Sequence, residues 1–351
     1  MERPKVAFLG PVASYTHQAA LESFPAATHE LVPYTTIADI FQAAQSGAVW
    51  RGVVPFENST NGSVVMTLDL LADRKKELKD VLVCGEAYVD VRHCLVGRLP
   101  KELRPSPDQP SRPGDDLERF KKIKHRIKKL YSHPQAWGQC ELFLSEHLKG
   151  VERQDVSSTS KAAEIVAQEN PCDEHFTSGS DITQLGPDIF GLDILAYGIQ
   201  DESGNMTRFF MLKKEEPEDP IESPLNAAIS PTSQEEEPIL TSATMPSDYA
   251  SGNPFSQPTF KTLISFTIPH TSPGALAKGL GVFGDHGLNL TSINTRPSLV
   301  EPWNYLFFVE MVGKRERHGR GSVNAALRDL QGVARTWRWL GSWEMQVDTA
   351  V

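Results

Sequence analysis

The stretch NMTRFFML, residues 205–212, predicts a buried strand with a polar entrance. Its last four residues form an apolar run, and two lysines and an acidic, proline-bearing tract then end the strand. Thr207 and Arg208 place a hydroxyl group and a permanent cation at the mouth of this strand. We therefore expect the chemistry of the protein to lie at this entrance, with the rest of the chain forming its walls and its regulatory part.

The composition bounds the kind of protein. A chain of 351 residues exceeds one ordinary hydrophobic core, so two or three domains are expected. The 39% hydrophobic content is typical of globular proteins, and no apolar run approaches the ~20 residues of a membrane span. The formal net charge of -10 disfavours a general nucleic-acid binder. We expect neither nucleic acid nor a membrane as a partner.

The cysteines and the N-terminus indicate a cytoplasmic protein. The chain enters a strand almost at once, without the layout of a signal peptide. Its cysteines are scattered and form no CxxC pair, which favours buried thiols in a reducing compartment over disulfides or a zinc site. We expect no metal and no cofactor. The four cysteines are Cys84, Cys94, Cys140 and Cys172.

The first 71 residues alternate strands with helices, which predicts a largely parallel sheet. A dinucleotide-binding fold is disfavoured, because only Gly10 of its glycine fingerprint is present. Ser14 and Thr16 instead give the first helix a hydroxyl-rich start, which is either an anion site or simple N-capping. The predicted strands are Lys5–Leu9, Leu31–Tyr34 and Arg51–Pro55, and the predicted helices end near Phe24, Ser46 and Leu71.

Two further polar segments follow predicted strands. Residues 57–63 place a carboxylate, two amides and three hydroxyls at the carboxyl end of the third strand, where open α/β sheets bind ligands. Ser132 is predicted to cap a helix that begins near Pro134 and runs to about Leu148. Between these segments, residues 81–97 predict a strand that leaves the sheet. Residues 99–116 predict a proline-rich surface insertion, and 121–129 a solvated basic face.

The last third of the chain predicts a tether and a second domain. Residues 213–259 combine acidic clusters with proline and serine, which is typical of a disordered linker. Residues 262–347 show the order strand, helix, strand, strand, helix, strand, which is the ferredoxin-like βαββαβ pattern. Its first helix is predicted to begin with a cap at 272–274. Because no nucleophile–base set is present, binding or regulation is the preferred interpretation.

Taken together, these segments resemble the prephenate dehydratase family. The resemblance rests on four segments in order: 10–20, 54–62, 132–140 and 205–209. Residues 274–280 and 289–297 are similar to the phenylalanine-binding signatures of that family's ACT domain. Each motif is weak alone, but four in the right order followed by an ACT-like domain are specific. No chorismate mutase segment precedes the first strand, so the resemblance is to a monofunctional form.

This resemblance implies an α/β fold. It comprises a two-lobed, periplasmic-binding-protein-like catalytic domain at 1–213, a linker at 214–259 and an ACT domain at 260–351. It implies that prephenate is the substrate and loses carbon dioxide and its C4 hydroxyl to give phenylpyruvate. It also implies feedback inhibition by phenylalanine and a homodimer or homotetramer. Two alternatives stay open: an arogenate dehydratase, and a non-catalytic amino-acid sensor.

The resemblance also assigns site residues. Thr207 is implied to donate to the departing hydroxyl, but Arg208 has a structural alternative because neighbouring strand residues point to opposite faces. Glu57 is awkward beside a dianionic substrate. The implied catalytic residues are Thr207, Asn58, Ser132 and Gln139. The implied substrate-binding residues are Arg208, Phe209, Ser14, Thr16, Glu57 and Ser59. The implied phenylalanine-binding residues are Gly274, Ala275, Leu276, Asn289, Leu290 and Thr291.

Three departures from the family pattern stand out. Ala13 occupies a position that is usually glycine, which alters the first anion loop. Ile182 and Thr183 replace a typical alanine pair within a lengthened stretch. Asn294 and Thr295 replace a Glu-Ser pair, which affects the expected strength of phenylalanine inhibition but not the type of the second domain.

Overall fold

The computed structural model describes residues 2–104, 115–168, 176–180, 189–215, 259–317 and 319–346. The chain divides into two compact units, Met1–Lys213 and Lys214–Val351. The predicted insertion at 99–116, the predicted linker at 214–259 and the Ile182-Thr183 departure lie wholly or largely outside the described residues. Each unit is built of both helices and strands, so the fold is mixed α/β.

The first sheet contains the strand with the polar entrance at Thr207 and Arg208. Its parallel start is confirmed, because the first strand pairs in parallel with both the second and the third. The strands are β1 Lys5–Leu9, β2 Glu30–Tyr34, β3 Arg51–Asn58, β4 Gly62–Ser63, β5 Val81–Asp90 and β11 Met206–Lys214. Their order is β2-β1-β3-β11-β5, with β4 paired to β3. The helices of this lobe are α1 Tyr15–Ser23, α2 Ile37–Ser46 and α3 Val65–Ala72.

A second sheet is inserted between β5 and β11. The chain leaves the first sheet after β5, as the sequence predicted, and the described residues between 94 and 197 build another lobe. Its strands are β6 Cys94–Gly97, β7 Ile127–Ser132, β8 Glu152–Asp155, β9 Phe176–Ser180 and β10 Asp193–Tyr197, in the order β10-β6-β9-β7-β8. Its helices are α4 Asp115–Ile123, α5 Pro134–Gln139, α6 Glu141–His147 and α7 Thr159–Gln168.

The second unit confirms the predicted βαββαβ order. Its four strands form one sheet in the order β13-β14-β12-β15, with antiparallel neighbours throughout. The elements are β12 Phe260–Thr267, α8 Ala275–Asp285, β13 Leu290–Pro297, β14 Tyr305–Val312, α9 Ser322–Leu330 and β15 Thr336–Glu344. Apolar side chains of the two helices and of all four strands share one hydrophobic core.

The predicted helix starts are partly right. Ser14 accepts a hydrogen bond from the backbone N–H of His17 and so caps α1 as expected. Ser132 is not a cap: it is the last residue of β7, and the imidazole of His133 caps α5 instead. Proline at the first helical position keeps its predecessor extended, so the N-cap falls on His133. The helix predicted to continue to Leu148 is interrupted at Cys140, which separates α5 from α6.

Two other helix starts, that of α3 and the one for which a cap is predicted at 272–274, have no side-chain cap. The side chain of Asn58 does not cap α3, whose N-cap is Val64 with no side-chain hydrogen bond. In the second unit, α8 begins after Gly274, which has φ +75° and no side chain to accept a bond. Glycine adopts this left-handed conformation without the steric cost that a Cβ imposes.

Candidate functional site

The predicted catalytic strand lies in the first sheet with its polar entrance paired to β3. β11 runs antiparallel to β3, with Thr207 opposite Asn58 and Arg208 opposite Glu57. Directly opposed residues of neighbouring strands share a face of the sheet, and successive residues alternate faces. The pair formed by Thr207 and Asn58 therefore lies on one face, and the pair formed by Arg208 and Glu57 lies on the other.

Asn58 fixes the oxygen of Thr207 by donating to it. The amide nitrogen of Asn58 lies 2.9 Å from Thr207 Oγ1 and 2.7 Å from Asn205 Oδ1. It also lies 3.1 Å from the carbonyl oxygen of Met206, so two hydrogens are shared among three acceptors. Its Oδ1 accepts the backbone N–H groups of Thr60 at 3.0 Å and Asn61 at 2.9 Å. This turn orients the amide.

The direction of this hydrogen bond leaves the Thr207 proton available. The Thr207 oxygen is an acceptor toward Asn58, so its own O–H points elsewhere. Among the residues that the structure describes, no acceptor lies within hydrogen-bonding range of that O–H. The side chain is half-buried, so a ligand can reach it. The geometry thus prepares a hydroxyl donor at the strand entrance.

Ser59 binds the chain just before β11. Its Oγ accepts the N–H of Met206 at 2.9 Å and donates to the carbonyl oxygen of Gly204 at 3.3 Å. The N–H of Ser59 donates to the Met206 carbonyl at 2.9 Å. The Ser59 hydroxyl is therefore engaged with backbone, and its role in this geometry is to secure the approach to the strand.

Arg208 is enclosed by two carboxylates. Its side chain is 5% exposed, Nη1 lies 2.9 Å from Glu57 Oε1, and Nη2 lies 2.8 Å from Glu86 Oε2. The guanidinium also lies 5.3 Å from the centre of the Phe56 ring and 5.0 Å from that of Phe210. These contacts favour the structural alternative for Arg208 over direct contact with a substrate. Sequence reasoning missed Glu86, because nothing along the chain marks its pairing partner.

Phe209 is a core residue. It is 1% exposed and packs with side chains of β1, β3 and α1. Its neighbours in this core include Phe8 and Val53. The expectation that Phe209 contacts a ligand is corrected accordingly, because the apolar face of β11 is covered by the helix that follows β1.

The start of α1 is locally closed. Ser14 Oγ donates to the Leu9 carbonyl at 2.9 Å while it accepts from the N–H of His17 at 3.2 Å. Thr16 is buried. Ala13 has φ +66° and donates its N–H to His17 Nδ1 at 3.1 Å, so the family's glycine position is a left-handed one. The simple capping interpretation of this segment is therefore the better one.

His17 is uncharged in this environment. Its ring stacks on Phe8 with 4.6 Å between ring centres, and burial lowers the pKa of His17 below its ordinary value of 6.5. A neutral ring leaves Nδ1 free to accept the Ala13 N–H. Protonation of Nδ1 would remove that bond, so the turn before α1 depends on the neutral form.

Gln139 is tied to the point where the chain crosses between lobes. Its Oε1 lies 2.8 Å from Nε2 of His93, which is 1% exposed and belongs to the segment joining β5 to β6. The N–H of Asp201, in the segment that returns to β11, donates to the Gln139 carbonyl at 2.8 Å. Ser132 is fully buried at the end of β7 in the same lobe. Sequence reasoning missed His93.

The two crossing segments are hydrogen-bonded to each other. The N–H of Val91 donates to the Asn205 carbonyl at 2.8 Å, and that of Ile199 donates to the His93 carbonyl at 3.0 Å. Asn205 also accepts from Asn58, and His93 contacts Gln139. The crossing therefore links the Asn58–Thr207 pair of the first lobe to Gln139 of the second.

The candidate effector residues of the second unit lie near the ends of α8 and β13. Ala275 packs in the core, Leu276 and Leu290 pack partly buried against it, and the Asn289 carbonyl accepts the N–H of Val312 at 2.9 Å. Thr291 Oγ1 donates to Glu310 Oε1 at 2.8 Å. Asn294, at the position of the family's glutamate, donates to Ser292 Oγ at 3.2 Å.

The comparisons with known proteins identify the family of the chain. The family model for prephenate dehydratase matches residues 6–217. A bifunctional chorismate mutase/prephenate dehydratase from Aquifex aeolicus is 31% identical over 97% of this chain and 73% of its own length. A probable prephenate dehydratase from Saccharomyces cerevisiae is 31% identical over 95% of this chain and 94% of its own. The chain belongs to the prephenate dehydratase family.

A solved structure supports the fold. The crystal structure described as prephenate dehydratase in complex with L-Phe, from Arthrobacter aurescens, gives a TM-score of 0.68 at 24% identity. The match covers 98% of this chain and 90% of that one, so the fold similarity extends through both units. Curated relatives named arogenate dehydratase are also among the matches. No helix among the described residues is long and apolar enough to span a membrane.

Proposed function

We propose that this protein is a prephenate dehydratase, a hydro-lyase that converts prephenate to phenylpyruvate in phenylalanine biosynthesis. The observation that carries the proposal is the Thr207 hydroxyl, whose oxygen accepts from Asn58 while its own hydrogen has no acceptor among the described residues. Family membership supports the reaction class. The catalytic set is Thr207 and Asn58 in the first lobe, with Ser132 and Gln139 in the second.

The reaction requires one hydrogen-bond donor close to the departing C4 oxygen. The bond between the ring and its carboxylate breaks, carbon dioxide leaves, and the electron pair enters the ring as the C4–oxygen bond breaks. The departing hydroxide takes up a proton and leaves as water, so the ring becomes aromatic. Thr207 donates a hydrogen bond to that oxygen as negative charge develops on it. The Asn58 N–H bond to the Thr207 oxygen strengthens the hydroxyl as a donor, because linked hydrogen bonds polarise one another.

The remaining candidate residues support this set. Ser59 secures the chain before β11, and Ser14 and Thr16 shape the turn before α1. Glu57 and Arg208 bind each other, which removes the difficulty of an unpaired carboxylate beside a dianionic substrate. Phe209 stabilises β11 from the core. In this proposal these residues position the catalytic set without contacting the reacting atoms.

The test compares three enzymes on prephenate, with phenylpyruvate absorbance as the readout. Thr207→Val keeps the shape but lacks the hydroxyl, and its kcat should fall about 10²- to 10⁴-fold with KM little changed. Thr207→Ser retains a donor and should keep most of the activity. Near-normal turnover by Thr207→Val would refute the role given to the hydroxyl. Folded wild-type protein that gives no product would refute the proposed reaction.

Arogenate is the second substrate to be tested, because relatives carry that name. It undergoes the same ring chemistry with an amino group in place of the keto group. A larger kcat/KM for arogenate than for prephenate would assign the protein as an arogenate dehydratase. Binding of both compounds without turnover would favour the non-catalytic sensor.

The second unit is proposed as an ACT domain that binds phenylalanine and lowers activity. Its βαββαβ order supports this, and the Arthrobacter aurescens protein was solved with L-Phe. Gly274, Ala275, Leu276, Asn289, Leu290 and Thr291 are the proposed effector residues. Phenylalanine should raise the thermal midpoint and reduce turnover. A flat response in both measurements would refute effector binding.

The proposed assembly is a homodimer or homotetramer, and the proposed compartment is the cytoplasm. Light scattering coupled to gel filtration measures the assembly directly. Cys84, Cys94 and Cys140 form no disulfide among the described residues, which is in keeping with a reducing compartment. Cys172 lies outside the described residues. A monomer at micromolar concentration, with and without phenylalanine, would contradict the proposed assembly.

A further inference from the structure

Three neighbouring strands each contribute one charged side chain to a single cluster, in which Arg208 and Glu86 are buried and Glu57 is 32% exposed. Glu57 on β3, Arg208 on β11 and Glu86 on β5 follow the order in which those strands stand in the sheet. Arg208 lies between the two carboxylates, at 2.9 Å from Glu57 and 2.8 Å from Glu86. We call these three residues the ion-pair triad.

We propose that Glu86 is a positioning residue which, through Arg208, sets the register of β11 and so aligns Thr207 with Asn58. This inference rests on the proposed function of Thr207. Glu86 lies on the opposite face of the sheet from Thr207 and touches no reacting atom. Its effect on the reaction is transmitted through the strand that Arg208 and Thr207 share.

Burial makes the triad selective for one arrangement. The side chain of Glu86 is fully buried and that of Arg208 is 5% exposed, so neither charge can turn to water. An unpaired charge in that position is strongly unfavourable, whereas the paired arrangement contributes little net stability. Tyr88 Oη, 3.3 Å from Glu86 Oε2, donates a further hydrogen bond to the same carboxylate oxygen. The triad therefore favours one position of Arg208 strongly over the others, although it contributes little to the net stability of the fold.

The contact between Arg208 and Glu86 controls the register in which β11 pairs with its neighbouring strands. A slip of β11 by one residue would turn Arg208 to the opposite face and leave Glu86 without its cation. The same slip would move Thr207 away from Asn58, since the two pairs are consecutive rungs of one ladder. A register shift between Arg208 and Phe209 marks an irregularity at this point, where pairing by backbone alone is less specific. The triad supplies the missing specificity.

The placement of β11 explains why it needs this device. It enters the sheet between β3 and β5, after the whole second lobe, and the chain before it is an irregular crossing segment. No short turn fixes its register, as a tight hairpin would. Arg208 reaches both neighbouring strands at once, because the planar guanidinium has two outward-facing nitrogens.

The experiment uses the full chain and two variants of the triad. In Glu86→Gln, one charge is removed with little change of shape. In the double variant Glu86→Leu with Arg208→Met, the buried pair is replaced by apolar side chains of similar size. Replacing a buried ion pair in this way is often neutral or stabilising, so the double variant separates stability from positioning. Asp69→Asn, which removes a carboxylate paired with Arg74 at 2.9 Å, is the matched control.

Two measurements are made on each protein. In both triad variants, kcat on prephenate should fall about 10- to 100-fold with KM nearly unchanged, as expected for a small misplacement of a catalytic group. Hydrogen exchange at residues 206–209 should become faster than in wild type. Asp69→Asn should match wild type in both measurements. Thermal midpoints of the variants show that the comparison is made on folded protein.

The outcomes separate this inference from the proposed function. Wild-type kcat in a folded double variant would show that the triad only stabilises the fold, and would overturn the positioning role. Should the double variant not fold, wild-type kcat in Glu86→Gln has the same consequence. Should the wild type have no turnover, the proposed function fails. Hydrogen exchange still tests the role of Glu86 in that case: unchanged exchange at 206–209 in Glu86→Gln would overturn the proposal that Glu86 sets the register of β11.

Discussion

Asn58 shows how much of the site depends on one side chain. Its amide group donates to the Thr207 hydroxyl and accepts two backbone N–H groups of its own turn. A carboxylate of the same shape would accept from Thr207 instead of donating to it. The direction of the hydrogen bond, and with it the availability of the Thr207 proton, is set by the amide.

We therefore predict that Asn58→Asp lowers kcat far more than the same substitution at Asn61 on the same turn. The new carboxylate should accept a hydrogen bond from the Thr207 hydroxyl and lower kcat about 10²- to 10⁴-fold. Asn61→Asp, on the same exposed turn, is the matched control and should keep kcat close to wild type. Steady-state kinetics on prephenate measure both. Equal losses in the two variants would show that added charge, and not the hydrogen bond, is responsible.

His17 gives a prediction on pH. Burial lowers its pKa from the ordinary 6.5, so the unfolded chain binds this proton more readily than the folded one. The stability that His17 contributes is complete above pH 6.5 and is lost as the pH falls through the lowered folded-state pKa. His17→Gln can still accept the Ala13 N–H but does not titrate. Urea unfolding at several pH values should show wild type losing more stability on acidification than the variant, and parallel curves would contradict this.

At the scale of elements, Gly52 permits a close approach between β3 and α2. A Cβ built on Gly52 would lie 2.6 Å from Cγ2 of Ile40. A Cβ on Gly85 of β5 would meet the sulfur of Met211 at 2.8 Å, but that side chain is unbranched and can move. The absence of a side chain at Gly52 is therefore what allows α2 to lie flat against the sheet.

We expect Gly52→Ala to destabilise the protein more than Gly85→Ala. Ile40 is branched next to its backbone, so relief of the clash requires α2 itself to shift, at a cost of about 1–3 kcal/mol in the free energy of unfolding. The more flexible Met211 should make the second substitution milder. Equilibrium unfolding in urea measures both. A larger loss of unfolding free energy for Gly85→Ala would mean that β5 and β11 pack more tightly than β3 and α2.

Elements defined by local patterns could be predicted, and those defined by distant partners could not. The strand at β1, the cap of α1 and the βαββαβ order of the second unit follow from short-range signals, and the structure confirms them. β3 continues to Asn58, beyond the predicted end at Pro55, because β4 and β11 supply hydrogen-bond partners there. The cap assigned to Ser132 was wrong by one residue, since the proline rule acts on His133.

The candidate site divides in the same way. Thr207 and Asn58 were named from their motifs, but their contact joins residues 149 positions apart and no local pattern reveals it. Glu86 and His93 were not predicted at all. Each is a buried polar residue whose meaning lies in one distant partner: Arg208 for the first, Gln139 for the second. A single sequence shows a charged residue, but neither its burial nor the residue that neutralises it.

At the scale of the whole molecule, the chain divides into two compact units. The first contains both lobes with their own hydrophobic cores, and the second has a core of its own. We predict that a chain ending at residue 217 folds, turns over prephenate and does not respond to phenylalanine. Steady-state kinetics with and without phenylalanine measure this. Retained inhibition in the shortened chain would place the effector site in the first unit.

The late return of β11 has a consequence for synthesis on the ribosome. Until residues 206–214 have been made, β3 and β5 each present an unpaired inner edge, with the second lobe already translated between them. Exposed strand edges are templates for association with other chains. The nascent protein therefore passes through a stage in which protection by chaperones matters most. Insertion of β11 between β3 and β5 ends this stage, and the same step brings Thr207 beside Asn58. A chain that ends before residue 206 therefore has neither a closed sheet nor a complete site.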